Sequence, residues 1–412
     1  MSMPERTTLL TGGQVLRNGT DVAEKLDVAI GQDGRITAID RALIPAADTK
    51  VIELAGKLVV PGLVDMHQHL DKSRTRRVVS NPEGTLEGAL AGYKKLAANV
   101  TREEIMERAE RTLRACLAHG TVAIRTHTNI DPETGVRGVE ALVDLREQWR
   151  GRFTLQVVAH VTSGATRMPE QAKQWLDAAA AKGVDAIGGV PAFADPPLEF
   201  LDMLFRVAVE HGLPLDMHID EHLDADRQML DALIDRTRSF GMQGRVTAGH
   251  CSVLSALEPD HAKRIADGFA SAGIAVVTLP AANLFLQGRE AAKLHPRGVT
   301  RVRELLAAGV KVSAASDNIQ DPFVPIGSGD LLEVARLTMV AAHLGLTDVE
   351  TSYRMVGETP ASVMGLGSDW GIQVGARADL LITDAEDVED LVTSGSLARA
   401  VLIGGELAAG SL

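Results

Sequence analysis

His67 and His69 stand one residue apart at the end of an apolar run, Leu58 to Val64, that reads as a buried strand. Side chains alternate along a strand, so both imidazoles leave on the same side, and two neutral imidazoles form a claw suited to zinc, iron, nickel or copper. An isolated His-x-His is more often a pair of polar loop residues. Here three further strand ends carry metal-type ligands: His218 in Pro214-Leu215-Asp216-Met217-His218-Ile219-Asp220-Glu221, His250 after Val246-Thr247-Ala248-Gly249, and Asp317 in Ala315-Ser316-Asp317-Asn318. A zinc or iron(II) ion held by protein ligands, with one position open, lowers the pKa of a bound water toward neutrality, which is the chemistry of hydrolysis.

The elements that must bring these residues together alternate between strand and helix. Strand candidates fall at Val59–Met66, Thr121–Thr128, Thr154–Val161, Ala186–Val190, Leu213–Ile219, Val246–His250, Ala275–Leu279 and Lys311–Ala315, each followed by a helical stretch. Such units predict a (β/α)8 TIM-type barrel of class α/β over residues 59–368, with its active site at the C-terminal strand ends. Residues 1–58 instead read as short strands with turns at Gly12-Gly13, Asn18-Gly19 and Asp33-Gly34, and residues 369–412 return to that pattern. Neither end has enough strands for a sheet of its own, so both are expected to build one small β-sandwich. The link from Asn81 to Val100 is long enough for a lid or an extra helix. Among the histidines, His119, His211 and His343 end helical stretches just before Gly120, Gly212 and Gly345, where a glycine cap is expected. His127 and His160 end strands and are expected to line the pocket mouth without holding metal.

Length and composition fit this architecture. The chain has 412 residues, 45% hydrophobic and 24% charged, which suits a large globular enzyme with a satellite domain. A formal net charge of -13, with no Lys/Arg stripe, argues against nucleic acid as a partner. The two cysteines, Cys116 and Cys251, imply no disulfide framework and cannot supply the paired-cysteine zinc site of small nucleoside deaminases. With no signal-peptide pattern at the start and no run long enough to span a bilayer, the sequence reads as cytoplasmic, without a membrane partner and with room for a homo-oligomer.

Several segments make the chain resemble the amidohydrolase superfamily and, within it, the cytosine deaminase-like branch. They are Gln156-Val157-Val158-Ala159, His218-Ile219-Asp220-Glu221, Gly244-Arg245-Val246-Thr247, Leu286-Gln287-Gly288-Arg289, Gly298-Val299-Thr300-Arg301-Val302 and Asp321-Pro322-Phe323. The resemblance implies that His67, His69, His218 and Asp317 hold one divalent metal ion, Zn2+ or Fe2+, with Glu221, His250 and Asp317 catalytic. Glu221 would shuttle a proton from water to a ring nitrogen, Asp317 would accept the water proton, and His250 would donate to the developing oxyanion or orient the water. Binuclear relatives bridge their metals with a lysine at the fourth strand; Ile187-Gly188-Gly189-Val190-Pro191 has none, so one metal is expected.

The pattern departs from cytosine deaminases where the substrate should sit. Thr162 stands in place of the glutamine that reads the pyrimidine edge, and Asn318 and Phe323 replace an aspartate and a tryptophan. Ser316-Asp317-Asn318 and Asp71-Lys72-Ser73 instead resemble the N-isopropylammelide isopropylamidohydrolases. Gln287, Thr162, Asn318 and Phe323 are thus the expected substrate contacts, with Gln287 facing a ring carbonyl. The expected reaction is hydrolytic deamination of an amino-substituted nitrogen heterocycle, a pyrimidine or related ring. The alternatives are removal of an alkylamine from a triazine-type ring and cyclic amide hydrolysis.

Overall fold

The computed structural model describes residues 7–20, 22–395 and 398–412; residues 1–6, which open the segment read for a targeting signal, lie outside them. Among the described residues the apolar runs form a parallel sheet of eight strands in sequential order. These are β1 (Leu63–Gln68), β2 (Thr121–Ile130), β3 (Thr154–Val161), β4 (Ala186–Gly189), β5 (Leu215–Ile219), β6 (Val246–His250), β7 (Ala275–Thr278) and β8 (Val312–Ala314). First and last meet where the Asp317 amide donates to the His67 carbonyl at 2.9 Å, a parallel bridge between Gln68 and Asp317. The sheet thereby closes, giving the (β/α)8 barrel.

The helices around it start where the sequence provides the chemistry. Proline opens the helices Pro169–Ala181, Pro197–Glu210, Pro259–Ala272 and Pro280–Leu286, where its missing N–H has no partner to lose. The helix Arg102–Ala118 begins with a reciprocal capping box between Thr101 and Glu104. Its buried stripe, Ile105, Ala109, Leu113 and Cys116, packs into the same apolar cluster as Ile124 of β2 and Leu155 of β3. His119 and His211 cap their helices before left-handed Gly120 and Gly212, as expected. After the helix Leu331–Ala341 the expectation fails: His343 itself takes the left-handed turn at φ 53°, and Gly345 is extended.

The two chain ends build one mixed sheet of eight strands. Its order is Glu406–Gly410, Arg399–Ile403, Leu380–Thr383, Leu58–Pro61, Thr8–Val15, Glu24–Ile30 and Ile36–Asp40, with Lys50–Glu53 also paired to Thr8–Val15. Alternation sorts its side chains: Val59, Leu380, Ile382 and Leu402 join a core private to this sheet, while Leu58, Val60, Leu381 and Val401 pack on the barrel cluster. Gly12-Gly13, expected as a turn, is a bulge inside Thr8–Val15.

The run Val59–Met66, expected as one strand, is two. Leu58–Pro61 lies in the end-built sheet, between Thr8–Val15 and Leu380–Thr383, and β1 starts only at Leu63. The switch occurs at Gly62, whose amide donates to the Asp379 carbonyl at 2.9 Å. A Cβ here would lie 2.3 Å from Val122 Cγ1, so the chain changes sheets inside the core only because this residue has no side chain. Gly62→Ala is therefore expected to overpack the junction and destabilise the protein by roughly 1–3 kcal/mol. A urea midpoint equal to that of the wild type would show that the contact yields freely.

Candidate metal centre and active site

The strand ends bring five of the expected residues to one place. His67 lies within β1 and His69 just beyond it, His218 in β5, His250 at the end of β6, and Asp317 beyond β8. All are buried. His69 Nε2 lies 3.2 Å from His218 Nε2 and 3.3 Å from Asp317 Oδ1, and His67 Nε2 lies 3.7 Å from the same oxygen. A tetrahedral ion with bonds of about 2.0–2.1 Å separates its ligand atoms by about 3.3 Å, so these spacings fit one metal.

The polar atoms of the cluster also lack other work. Both ring nitrogens of His67, Nδ1 of His218, Nε2 of His250 and both carboxylate oxygens of Asp317 are buried without a hydrogen-bond partner, which is costly unless a cation takes the free lone pairs among them and a ligand accepts from the N–H groups. Four of these residues, His67, His218, His250 and Asp317, have ligand atoms within 4.8 Å of one another. That grouping includes His250 and omits His69, whereas the expected ligand set does the reverse. Hydrogen bonding favours His69: its Nδ1 donates to the His127 carbonyl at 2.8 Å, which leaves the Nε2 lone pair facing the cluster. The Asn283 amide nitrogen faces His250 Nδ1 at 3.1 Å, so Nδ1 accepts and Nε2 carries the proton, toward Glu221 Oε2 at 3.6 Å. His250 is thus oriented as a donor. In a second grouping, His67, His127 and Asp216, the carboxylate is already engaged, because Asp216 takes Arg125 at 2.8 Å and His127 Nε2 at 3.0 Å.

Burial sets the protonation states. Desolvation holds His67, His69, His160 and His218 well below the usual imidazole range and brings His250 to about 3, so all five are neutral near pH 7. Desolvation lifts Glu221 to about 7, opposed by the charge of Lys72, and raises Asp317 well above the usual carboxylate range, with Glu221 repelling it. A dication would supply the positive charge that Asp317 needs to ionise. The backbone is bent to match: Asp220, His250, Cys251 and Asp317 all have positive φ, between 47° and 66°, turning the chain sharply at the ends of three of the strands that carry the site.

Above the cluster opens a cleft lined by His69, His160, His218, Glu221, His250 and Asp317 on its floor and by Leu86, Leu90, Phe193 and Phe323 on its walls. The link from Asn81 supplies the helix Leu86–Ala97, so the expected extra helix is present, with Leu86 and Leu90 at the cleft. Thr162, Asn318 and Phe323 line the cleft as expected. Asn318 is tied by its amide to Asp321 at 2.6 Å, and Thr162 Oγ1 donates to the Ile130 carbonyl at 3.3 Å. Gln287, expected at a ring carbonyl, stands elsewhere: its Nε2 donates to the Glu221 carbonyl at 3.1 Å, bracing that residue from behind. Sequence patterning gives Lys72 no role beyond its place in Asp71-Lys72-Ser73 and does not single out Asn129 or Asn283. The available signal was a lysine only three residues beyond His69, in a segment otherwise fit for burial.

A family model described as "Amidohydrolase family" matches residues 73–409. The chain is 34% identical over 387 residues to a pterin deaminase of Rhizobium rhizogenes, covering 93% of this chain and 87% of that one. It is 29% identical over 371 residues to an N-isopropylammelide isopropyl amidohydrolase of Pseudomonas sp. (strain ADP), covering 87% of each. The crystal structure of 5-methylcytosine deaminase from Klebsiella pneumoniae liganded with 5-fluorocytosine superposes with a TM-score of 0.90 at 26% identity over 98% of both chains.

The Glu221 carboxyl carries a measurable signature. Its folded-state pKa of about 7 exceeds the ordinary 4.5, so between those values the folded chain binds more protons here than the unfolded chain, and stability falls as pH rises through the window. In metal-free protein, Glu221→Gln is expected to match wild type near pH 4 and to exceed it by roughly 3 kcal/mol near pH 8. Urea titrations across that range check it; a pH-independent difference would rule out a buried, proton-holding Glu221.

Proposed function

The chain belongs to the amidohydrolase family and is a hydrolase of carbon–nitrogen bonds, and from that premise we propose that it removes ammonia from an amino-substituted nitrogen heterocycle with the help of one divalent cation. The observation that carries this reading is the meeting of His67, His69, His218 and Asp317, with unpartnered buried atoms, beside a Glu221 poised near neutrality. No lysine stands on β4, and Asp216, the carboxylate of the second His/Asp grouping, is held by Arg125 and His127, which supports a single ion.

Bound to those four residues, Zn2+ or Fe2+ supplies Lewis acidity that makes water a nucleophile near neutral pH. The chain's own groups do the rest. Asp317 orients the incoming water and accepts its proton. Glu221, with a pKa near the working pH, passes its proton to the ring nitrogen beside the carbon under attack. The proton taken up by Asp317 then goes to the departing amine, and the hydroxyl left on that carbon returns a proton to Glu221 as the carbonyl forms. His250 donates from Nε2 to the oxygen that gathers negative charge. Gln287 holds Glu221 in position through its backbone carbonyl. The apolar walls hold the ring face and keep bulk water from competing protons.

A second reading has support in those same walls. Leu86, Leu90 and Phe193 give room for an alkyl group, and the relative from Pseudomonas sp. is named for an isopropylamine-bearing substrate, so a small alkylamine can be the leaving group.

Ammonia and amine release by metal-loaded protein, screened over amino-pyrimidines, triazines and pterins, tests the proposal. Glu221→Gln is expected to keep one tightly held metal per chain and to lose roughly 10²–10⁴-fold in kcat. Unimpaired turnover in that variant, or two tightly held ions per chain, would overturn the assignment.

A further inference from the structure

Lys72 is 4% exposed, yet among the described residues no carboxylate oxygen comes within 4.0 Å of its ammonium. Nζ has one long contact, to Asn129 Oδ1 at 3.4 Å, and lies 4.5 Å from the centre of the Phe323 ring and 5.8 Å from that of Tyr93. The nearest acid in sequence, Asp71, is held by its Oδ2, which accepts from the Asn129 amide at 3.0 Å and from Tyr93 at 3.5 Å, while its buried Oδ1 has no hydrogen-bond partner. An ammonium has three donors and no acceptor, so most of its hydrogen-bonding capacity is unspent in a place where burial makes that costly. Lys72 lines the same cleft as Glu221, Asp317 and Asn318.

We propose that Lys72 determines specificity by binding an acidic exocyclic oxygen on the substrate ring, so that the substrates are amino-oxo heterocycles whose oxygen bears negative charge, rather than rings carrying only amino or alkyl groups. A donor-only group rejects a ring amino group at this point and accepts an oxygen, above all one with enolate character. The Phe323 ring beside Nζ gives the flat substrate a stacking surface next to the charge. Holding the oxygen at Lys72 fixes the ring in its plane and so decides which carbon faces Glu221. This inference rests on the reaction proposed above.

The test is binding, which needs no turnover. Barbiturate is a ring anion at pH 7 and has no amino group to lose. Calorimetry on metal-loaded protein is expected to give a Kd for barbiturate roughly 10–100-fold weaker in Lys72→Met than in wild type, the worth of one charged hydrogen bond. Lys72→Arg, which keeps the charge, is expected to retain most of the affinity. Metal-free wild-type protein, which needs no variant to fold, is expected to prefer barbiturate over neutral uracil at least tenfold, because Lys72 remains when the dication is gone. Equal affinity of wild type and Lys72→Met, equal loss in Met and Arg variants, or no anion preference without metal would each overturn the inference. If no panel substrate releases ammonia or amine, the proposed reaction fails, while the barbiturate series still judges Lys72.

Discussion

One backbone hydrogen bond, from the Asp317 amide to the His67 carbonyl, joins the last barrel strand to the first. Both of its residues belong to the candidate metal site, so closing the barrel also brings two of that site's side chains together. The seam is reinforced below by Asp65, buried in β1, which accepts from the Ser316 amide, the Ser316 hydroxyl and Gln68 Nε2. Asp65 thereby holds a carboxyl in the core by hydrogen bonds alone, with burial lifting it to about 6. A barrel whose ends slipped by one residue would turn the imidazoles of β1 to its other side, away from the metal cluster.

The same desolvation that keeps the imidazoles neutral makes Asp317 reluctant to ionise, and the same strand ends that hold the ligands contain the left-handed residues Asp220, His250, Cys251 and Asp317. Each such residue costs roughly 1–2 kcal/mol relative to a relaxed backbone. The closed sheet and the packed helices sustain this strain and lock the side chains into one arrangement. A cation would then find imidazoles already neutral and held in place, with only Asp317 left to give up a proton, which is the physical content of preorganisation.

Much of this could be read from the chain alone, because strand alternation and strand-end position are local properties. His67, His69, His218, His250 and Asp317 each follow a short apolar run, and the order of those runs gives the barrel. What stayed hidden depends on neighbours distant in sequence. Gly62 reads as an interior strand residue until Val122 and Asp379 are seen around it. Gln287 has the right chemistry for a ring carbonyl, but the Glu221 carbonyl claims its amide. Lys72 carries a charge that marks most lysines as surface residues, and only its burial without a salt bridge makes it conspicuous.

The strand Leu58–Pro61, which leads directly into β1, is flanked on one side by Thr8–Val15 and on the other by Leu380–Thr383. During synthesis the second flank leaves the ribosome only after every barrel unit has emerged. The root of the first barrel strand must therefore wait, half-paired, for the far end of the polypeptide, and its exposed edge is a natural place for a chaperone to act.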